Sequence, residues 1–221
     1  MSSKKKLFEN FNLYAVTDIQ SYSPDILSKI DRAFQGGVGI VQLRSKHLTA
    51  KEMIRLGTKI REIARVHQKG FVVNDRVDIA IAVNADGVHL GQEDLPVSTA
   101  REMIQSMGAS LCIGKSTHSL EQALAAEEEG ADYVGVGPVF NTPTKPDYPP
   151  VGIELVKQVR AKIRVPFTAI GGINVTNMLE VLEGGAHGVA VVRAVFGSED
   201  PFYAAKKLRE KYESLKKNQL V

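Results

Sequence analysis

The sequence predicts an α/β fold, a closed (β/α)8 barrel of the TIM type, on three observations. Short runs of β-branched and other apolar residues recur eight times along the chain. The segments between them show apolar spacings of three and four or are rich in helix formers. The repeating unit is about 25 residues, enough for a strand plus a crossover helix and too long for hairpins. A doubly wound open sheet is the alternative that the pattern leaves standing.

The first run, LYAVTD at 13–18, is followed by VGIVQLR at 38–44, each apolar at consecutive positions as in a parallel strand covered on both faces. TAKEMIRLGTKIREIARVHQ, 49–68, reads as the amphipathic helix leading to the third run, FVVND at 71–75. RVDIAIA then leads to GVHLG at 87–91, and LCIGKS at 111–116 is the fifth run. SLEQALAAEEEG, 119–130, is a helix that Ser119 can cap. YVGVGPV at 133–139 precedes a loop, PTKPDYPP at 143–150, stiffened by its prolines without forming a separate unit. VPFTAIGG at 165–172, the helical VTNMLEVLEGG at 175–185 and GVAVV at 188–192 complete the series.

One domain over 1–221 is expected, with residues 1–12 an N-terminal extension; such a chain buries roughly 70% of its unfolded surface. A 43% apolar and 24% charged composition is ordinary globular usage. No apolar run approaches the roughly 20 residues of a membrane span, and no hydrophobic segment follows the lysines of MSSKKKLFENFN. A cytoplasmic location is expected, with no membrane partner. The single cysteine, Cys112, excludes an intramolecular disulfide and reads as a buried strand thiol. A net charge of +3 leans on two terminal runs, KKK at 4–6 and KKLREKYESLKKNQ, and few aromatics interleave the bases, so no nucleic acid is expected as partner.

In such a barrel the C-terminal strand ends form one rim where active sites lie. That rim would carry Asp18; Gln42, Arg44 and Lys46; Asn74 and Asp75; His89, Gln92, Glu93 and Asp94; Lys115, Ser116, Thr117 and His118; Thr142, Thr144 and Lys145; Gly171 and Gly172; and Arg193. Asp75 and Asp94, on adjacent strand ends, can meet over Mg²⁺, which takes one or two carboxylates together with substrate phosphates and water. The alternative is that each caps the helix that follows it, as Asp75 would before RVDIAIA. No HxH or HExxH spacing supports a zinc hydrolase.

Arg44, Lys46 and Lys145 are candidate phosphate binders, Lys145 with the hydroxyls of Thr142 and Thr144 beside it in a loop able to close over an anion. AIGGIN places two glycines after the seventh run, where phosphate can approach the backbone or an ordinary turn can form, and Thr176 could open the next helix. His118 could shuttle protons or only hydrogen-bond nearby groups, and His89, inside a strand run, reads as packed or orienting.

VQLRSK, VND, HLGQEDLP, GKSTHS, ADYVGVGPVFNTPTK and AIGGI, in this order and at these intervals, resemble the thiamine phosphate synthase family over about residues 13–210. The resemblance implies a transferase joining 4-amino-2-methyl-5-hydroxymethylpyrimidine diphosphate to 4-methyl-5-(2-hydroxyethyl)thiazole phosphate, with thiamine phosphate and pyrophosphate as products. It implies that Gln42, Arg44, Lys46, Asn74, Ser116 and Lys145 surround the pyrimidine diphosphate, with Arg44, Lys46, Lys145 and Ser116 acting in catalysis. Asp75 and Asp94 would bind Mg²⁺, and Thr142, Thr144, Gly172 and the last strand end, Val192 and Arg193, would serve the thiazole phosphate. The implied mechanism is dissociative, and the family is commonly oligomeric, often dimeric.

Arg193 stands where the family commonly has serine. The related thiazole tautomerase is similar around GKSTHS, where His118 matches its functional histidine, but usually lacks the acidic pair. A non-catalytic regulator that binds thiazole phosphate is the alternative from a different class.

Overall fold

The computed structural model describes residues 12–21, 23, 25–144 and 148–218. Its elements alternate without exception through the barrel: β1 (Leu13–Val16), α1 (Asp25–Gln35), β2 (Ile40–Leu43), α2 (Ala50–Val66), β3 (Gly70–Asn74), α3 (Val77–Ala82), β4 (Gly87–Leu90) and α4 (Val97–Ser106). The second half runs β5 (Cys112–Thr117), α5 (Leu120–Glu128), β6 (Tyr133–Val136), α6 (Gly152–Lys162), β7 (Phe167–Ile170), α7 (Met178–Glu183), β8 (Gly188–Val191), α8 (Arg193–Phe196) and α9 (Pro201–Asn218). All neighbouring strands pair in parallel, and β8 closes on β1 with Tyr14 opposite Ala190. The open sheet is thereby excluded. Of the expected N-terminal extension only Asn12 is described, and its carbonyl accepts from the Val189 N–H at 3.0 Å.

The apolar residues divide between two cores. A large one fills the space between strands and helices, with Leu13, Val41, Phe71, Val88, Ile113, Val134, Phe167 and Val189 pointing outward from the barrel. A smaller plug of Tyr14, Val16, Ile40, Val72, Cys112, Tyr133 and Ala190 lies inside the ring. Adjacent strand residues alternate between these cores, which is why the runs are apolar at every position. Cys112 is the buried strand thiol that the sequence suggests.

Local chemistry fixes the helix starts. Thr49 and Glu52 form a capping box at α2, and the Ser119 hydroxyl accepts from the Gln122 N–H at 3.2 Å to cap α5, as expected. Ser119→Ala should lower stability by about 1 kcal/mol, read as a reduced urea midpoint with an unchanged slope. Thr176 does not open α7. Its N–H donates to Asn174 Oδ1 at 2.8 Å in an Asx turn, and the helix starts two residues later, after Asn177.

Candidate active site

The C-terminal ends of the strands surround a cavity of about 530 Å³. Gln42, Arg44, Asn74 and Ser116 line one side of it, and Thr142, Thr144, Gly172, Val192 and Arg193 also contribute. Nine residues proposed from the sequence are thus brought together. Lys46, Asp75 and Asp94 are not in this lining and form a cluster of their own, while Lys145 lies outside the described residues.

The acidic cluster is built by two turns. Asp75 has φ 61°, a left-handed backbone that Asp tolerates better than most residues but that costs free energy, and its N–H donates to the His89 carbonyl at 2.8 Å. Its carboxylate receives Lys46 Nζ at 2.6 Å. Asp75 is not the cap of α3: Arg76 occupies that position, with no side-chain cap bond. Asp94 folds back over its own turn and accepts the Gly91 N–H at 2.6 Å. A Cβ on residue 91 would stand 2.9 Å from Asp94 Oδ2, so glycine permits this closure.

Burial first, and then the neighbouring Asp75 carboxylate, hold the Asp94 carboxyl above its usual range, while the Gly91 N–H and Lys46 act in the opposite direction. Two carboxylates placed against each other repel, and a cation between them removes that cost. Two acids at the opposite end of the barrel, the buried Asp86 and the partly buried Asp132, have their charges answered by protein. Asp86 accepts from the Phe71 N–H at 2.9 Å and pairs with Arg61, and Asp132 accepts from the Ile113 N–H at 2.8 Å and pairs with Arg101.

The pair fits Mg²⁺. Among the described residues no group of three or more His, Cys, Asp or Glu side chains could cage a metal, so a site here must complete its coordination with water and ligand oxygens. That is the coordination habit of Mg²⁺.

The basic residues are oriented before any ligand arrives. Arg44 pairs with Asp18, and its backbone N–H donates to Thr17 Oγ1 at 2.9 Å, which ties the ends of β1 and β2 together. Gln92 Nε2 donates to the Ser116 carbonyl at 2.5 Å, and Lys115 Nζ to the Gly91 carbonyl at 2.9 Å, so the β4 and β5 ends are joined in the same way. Lys115 and Gln92 are therefore supports of the rim.

Gly171 and Gly172 have φ of 102° and 66°, and a Cβ on either would come within 2.6 Å of Pro138 or the Asn141 carbonyl. Both the turn and the close approach need glycine, and both residues line the cavity. Arg193, the first residue of α8, is exposed at the cavity edge. His118 lines the cavity as well, with its Nδ1 bonded to the Gly137 carbonyl and its ring 4.9 Å from that of Tyr148.

Sequence reasoning missed Tyr14, Asn141, Thr168 and Asn174, all in the cavity wall. The Asn174 turn could have been read from the spacing of Asn174 and Thr176. Tyr14 could not, because both faces of LYAV are apolar or aromatic and nothing in the run marks the inner one. His89 orients its neighbours, as its place in the run suggested: its ring bonds Tyr133 Oη through Nδ1 and Ser116 Oγ through Nε2, each at 3.0 Å.

A parallel barrel with arginine, lysine, glycine turns and a carboxylate pair on its C-terminal rim defines a (β/α)8-barrel protein built to hold phosphorylated small molecules. The particular family follows from comparison: residues 13–195 match the family model described as thiamine monophosphate synthase, and the chain belongs to that family. The thiamine-phosphate synthase of Pyrococcus abyssi is 44% identical over 207 residues, covering 94% of this chain and 97% of that protein. The thiamine-phosphate synthase of Synechococcus sp. strain WH7803 is 44% identical over 209 residues, and the match spans 94% of this chain but 58% of that longer protein. The structure of thiamine phosphate pyrophosphorylase from Pyrococcus furiosus superposes with a TM-score of 0.87 at 40% identity, covering 95% of this chain and 98% of that one.

Proposed function

We propose that the protein is a thiamine phosphate synthase, which condenses 4-amino-2-methyl-5-hydroxymethylpyrimidine diphosphate with 4-methyl-5-(2-hydroxyethyl)thiazole phosphate to give thiamine phosphate and pyrophosphate. The observation that carries the reading is the Asp75–Asp94 pair, with Lys46 against it, beside a cavity walled by Gln42, Arg44, Asn74 and Ser116. A tautomerase has no diphosphate to hold and no use for that pair, so the acidic cluster favours the synthase.

Asp75 and Asp94 hold Mg²⁺ in this reading, and the ion supplies charge neutralisation for the diphosphate when bound. Gln42 and Asn74 orient the aminopyrimidine, while Arg44, Lys46, Lys145 and Ser116 face the diphosphate. The methylene carbon–oxygen bond breaks with its electron pair leaving on pyrophosphate, and the electron-rich pyrimidine stabilises the resulting methylene cation. The thiazole nitrogen then donates its lone pair to that carbon. Thr142, Thr144, Gly172, Val192 and the guanidinium of Arg193 bind the thiazole phosphate. Charge stabilisation and positioning are the whole of the protein's task, and no side-chain nucleophile takes part.

No helix among the described residues is long and apolar enough to cross a membrane. A cytoplasmic location and a homodimer accord with the family reading. The test is pyrophosphate release by the purified protein with both substrates. Release should need Mg²⁺, stop with excess chelator and match thiamine phosphate mole for mole. Absence of release in both conditions would point to the tautomerase or the thiazole phosphate-binding regulator instead.

A further inference from the structure

Inside the barrel, at the floor of the cavity, polar atoms form one continuous chain through the otherwise apolar plug, with Tyr14 and His89 among the cavity's lining. Gln42 Nε2 donates to Tyr14 Oη at 2.8 Å, and Tyr14 Oη lies 3.1 Å from Tyr133 Oη. Tyr133 Oη is 3.0 Å from His89 Nδ1, and His89 Nε2 is 3.0 Å from Ser116 Oγ. The two ends, Gln42 and Ser116, come from β2 and β5 and both line the cavity. The middle is held firmly: Tyr14 and Tyr133 are 2% and 0% exposed.

A chain of this kind has a direction. Each tyrosine has one proton and a neutral imidazole has one, so along these four contacts the choice of one donor favours an order in those beyond it. With the Gln42 amide N–H given to Tyr14, the Tyr14 hydroxyl donates to Tyr133, and the Tyr133 hydroxyl donates to His89 Nδ1. The His89 proton must then be on Nε2 and is given to Ser116 Oγ. Burial keeps both phenols protonated, Tyr14 and Tyr133 each being pushed well above the usual phenol range, so the run is not broken by an ionised member.

We infer that Tyr14, Tyr133 and His89 are positioning residues that set the polarity of the cavity, leaving the Gln42 carbonyl oxygen as an acceptor and the Ser116 hydroxyl proton as a donor. The second half of the inference rests on the synthase reading: the pyrimidine amino group meets an acceptor, and the departing diphosphate meets a donor already turned toward it. A hydroxyl that need not reorient as negative charge develops stabilises that charge without a reorganisation cost. The opposite run, with the Ser116 proton on His89 and the Gln42 amide turned over, would present each substrate group with its own kind.

The geometry is protected by glycine. A Cβ on residue 135 would stand 3.2 Å from His89 Cε1, so Gly135 leaves the imidazole its seat.

The first experiment needs no substrate. In protein labelled with ¹⁵N-histidine, a long-range ¹H–¹⁵N spectrum should show His89 as the neutral Nε2–H tautomer, its signals assigned by their loss in His89→Gln. In Tyr133→Phe that tautomer should lose its dominance; if this variant does not fold, Tyr14→Phe serves the same purpose, since it cuts the chain one link earlier. Finding His89 as the Nδ1–H tautomer in the wild type overturns the proposal, whatever reaction the protein catalyses.

The second experiment reads coupling. Tyr133→Phe should lower kcat roughly 10-fold, the scale of one well-placed hydrogen bond, with KM for the thiazole phosphate unchanged. His89→Gln, whose amide N–H replaces the Nε2 donor, should recover most of the activity that His89→Asn loses. Equal losses in the two variants would reduce His89 to a packing residue and overturn the positioning role. A wild-type protein that shows the expected tautomer but releases no pyrophosphate would refute the synthase reading and leave the chain's polarity standing.

Discussion

Asp94→Asn should lower the rate of Mg²⁺-dependent pyrophosphate release by roughly 10²–10³-fold, the loss typical when one group that stabilises developing charge is removed. The substitution keeps shape and keeps the local fold, because an amide oxygen can still accept the Gly91 N–H that Asp94 accepts at 2.6 Å. What it removes is charge. Asp94 is raised by burial and by Asp75, so the wild-type pair carries an electrostatic cost that a divalent cation relieves. The variant has no such cost, and therefore little to gain from the ion. Asp75→Asn should behave similarly, with the additional effect of freeing Lys46, whose Nζ is 2.6 Å from the Asp75 carboxylate. The check is a Mg²⁺ titration of kcat for each variant, with thermal melting as a control for folding. An unchanged rate and unchanged Mg²⁺ dependence in either variant would remove the pair from the site.

The barrel could be read from the sequence because parallel strands covered on both faces have an obvious pattern. GVAVV and YVGVGPV can be little else, and their spacing leaves room for one helix each. The rim could be read for a related reason: a polar residue that ends an apolar run has solvent or a ligand to face. Asp75, Arg44 and Ser116 stand out in that way, and the order of the motifs narrows the chemistry expected of them.

The interior could not be read. Tyr14 lies in the inner plug and its neighbour Leu13 in the outer core, yet nothing in LYAV distinguishes the two faces. Tyr133 looks from the sequence like any aromatic at the start of a strand. Only closure of the ring brings its hydroxyl to 3.1 Å from that of Tyr14, a residue 119 positions away. Thr176 is not the cap for a different reason: its hydroxyl is turned back to Asn174 Oδ1 at 2.7 Å, and the helix starts only after Asn177. Local side-chain hydrogen bonds of this kind compete with capping, and single-residue preferences do not resolve the outcome.

Gly114→Ala should be among the most damaging single methyls in the barrel, and it joins the fold to the site. A Cβ at that position would lie 2.2 Å from Tyr133 Cζ and 2.5 Å from Tyr133 Oη. Both residues are buried in neighbouring strands, with Gly114 paired to Tyr133 in the sheet register, so the ring has nowhere to retreat. Overpacking of this kind costs about 1–3 kcal/mol, and the absence of slack places this case at the upper end. If β5 shifts to relieve the contact, it carries Ser116, two residues along the same strand, away from His89 Nε2. Stability and coupling should therefore fall together. The cause is isolated by a double-mutant cycle in urea denaturation: in a Tyr133→Leu background the added methyl should cost much less than in the wild type. Equal costs in the two backgrounds would show that the damage comes from the backbone of β5 and not from the tyrosine that glycine makes room for.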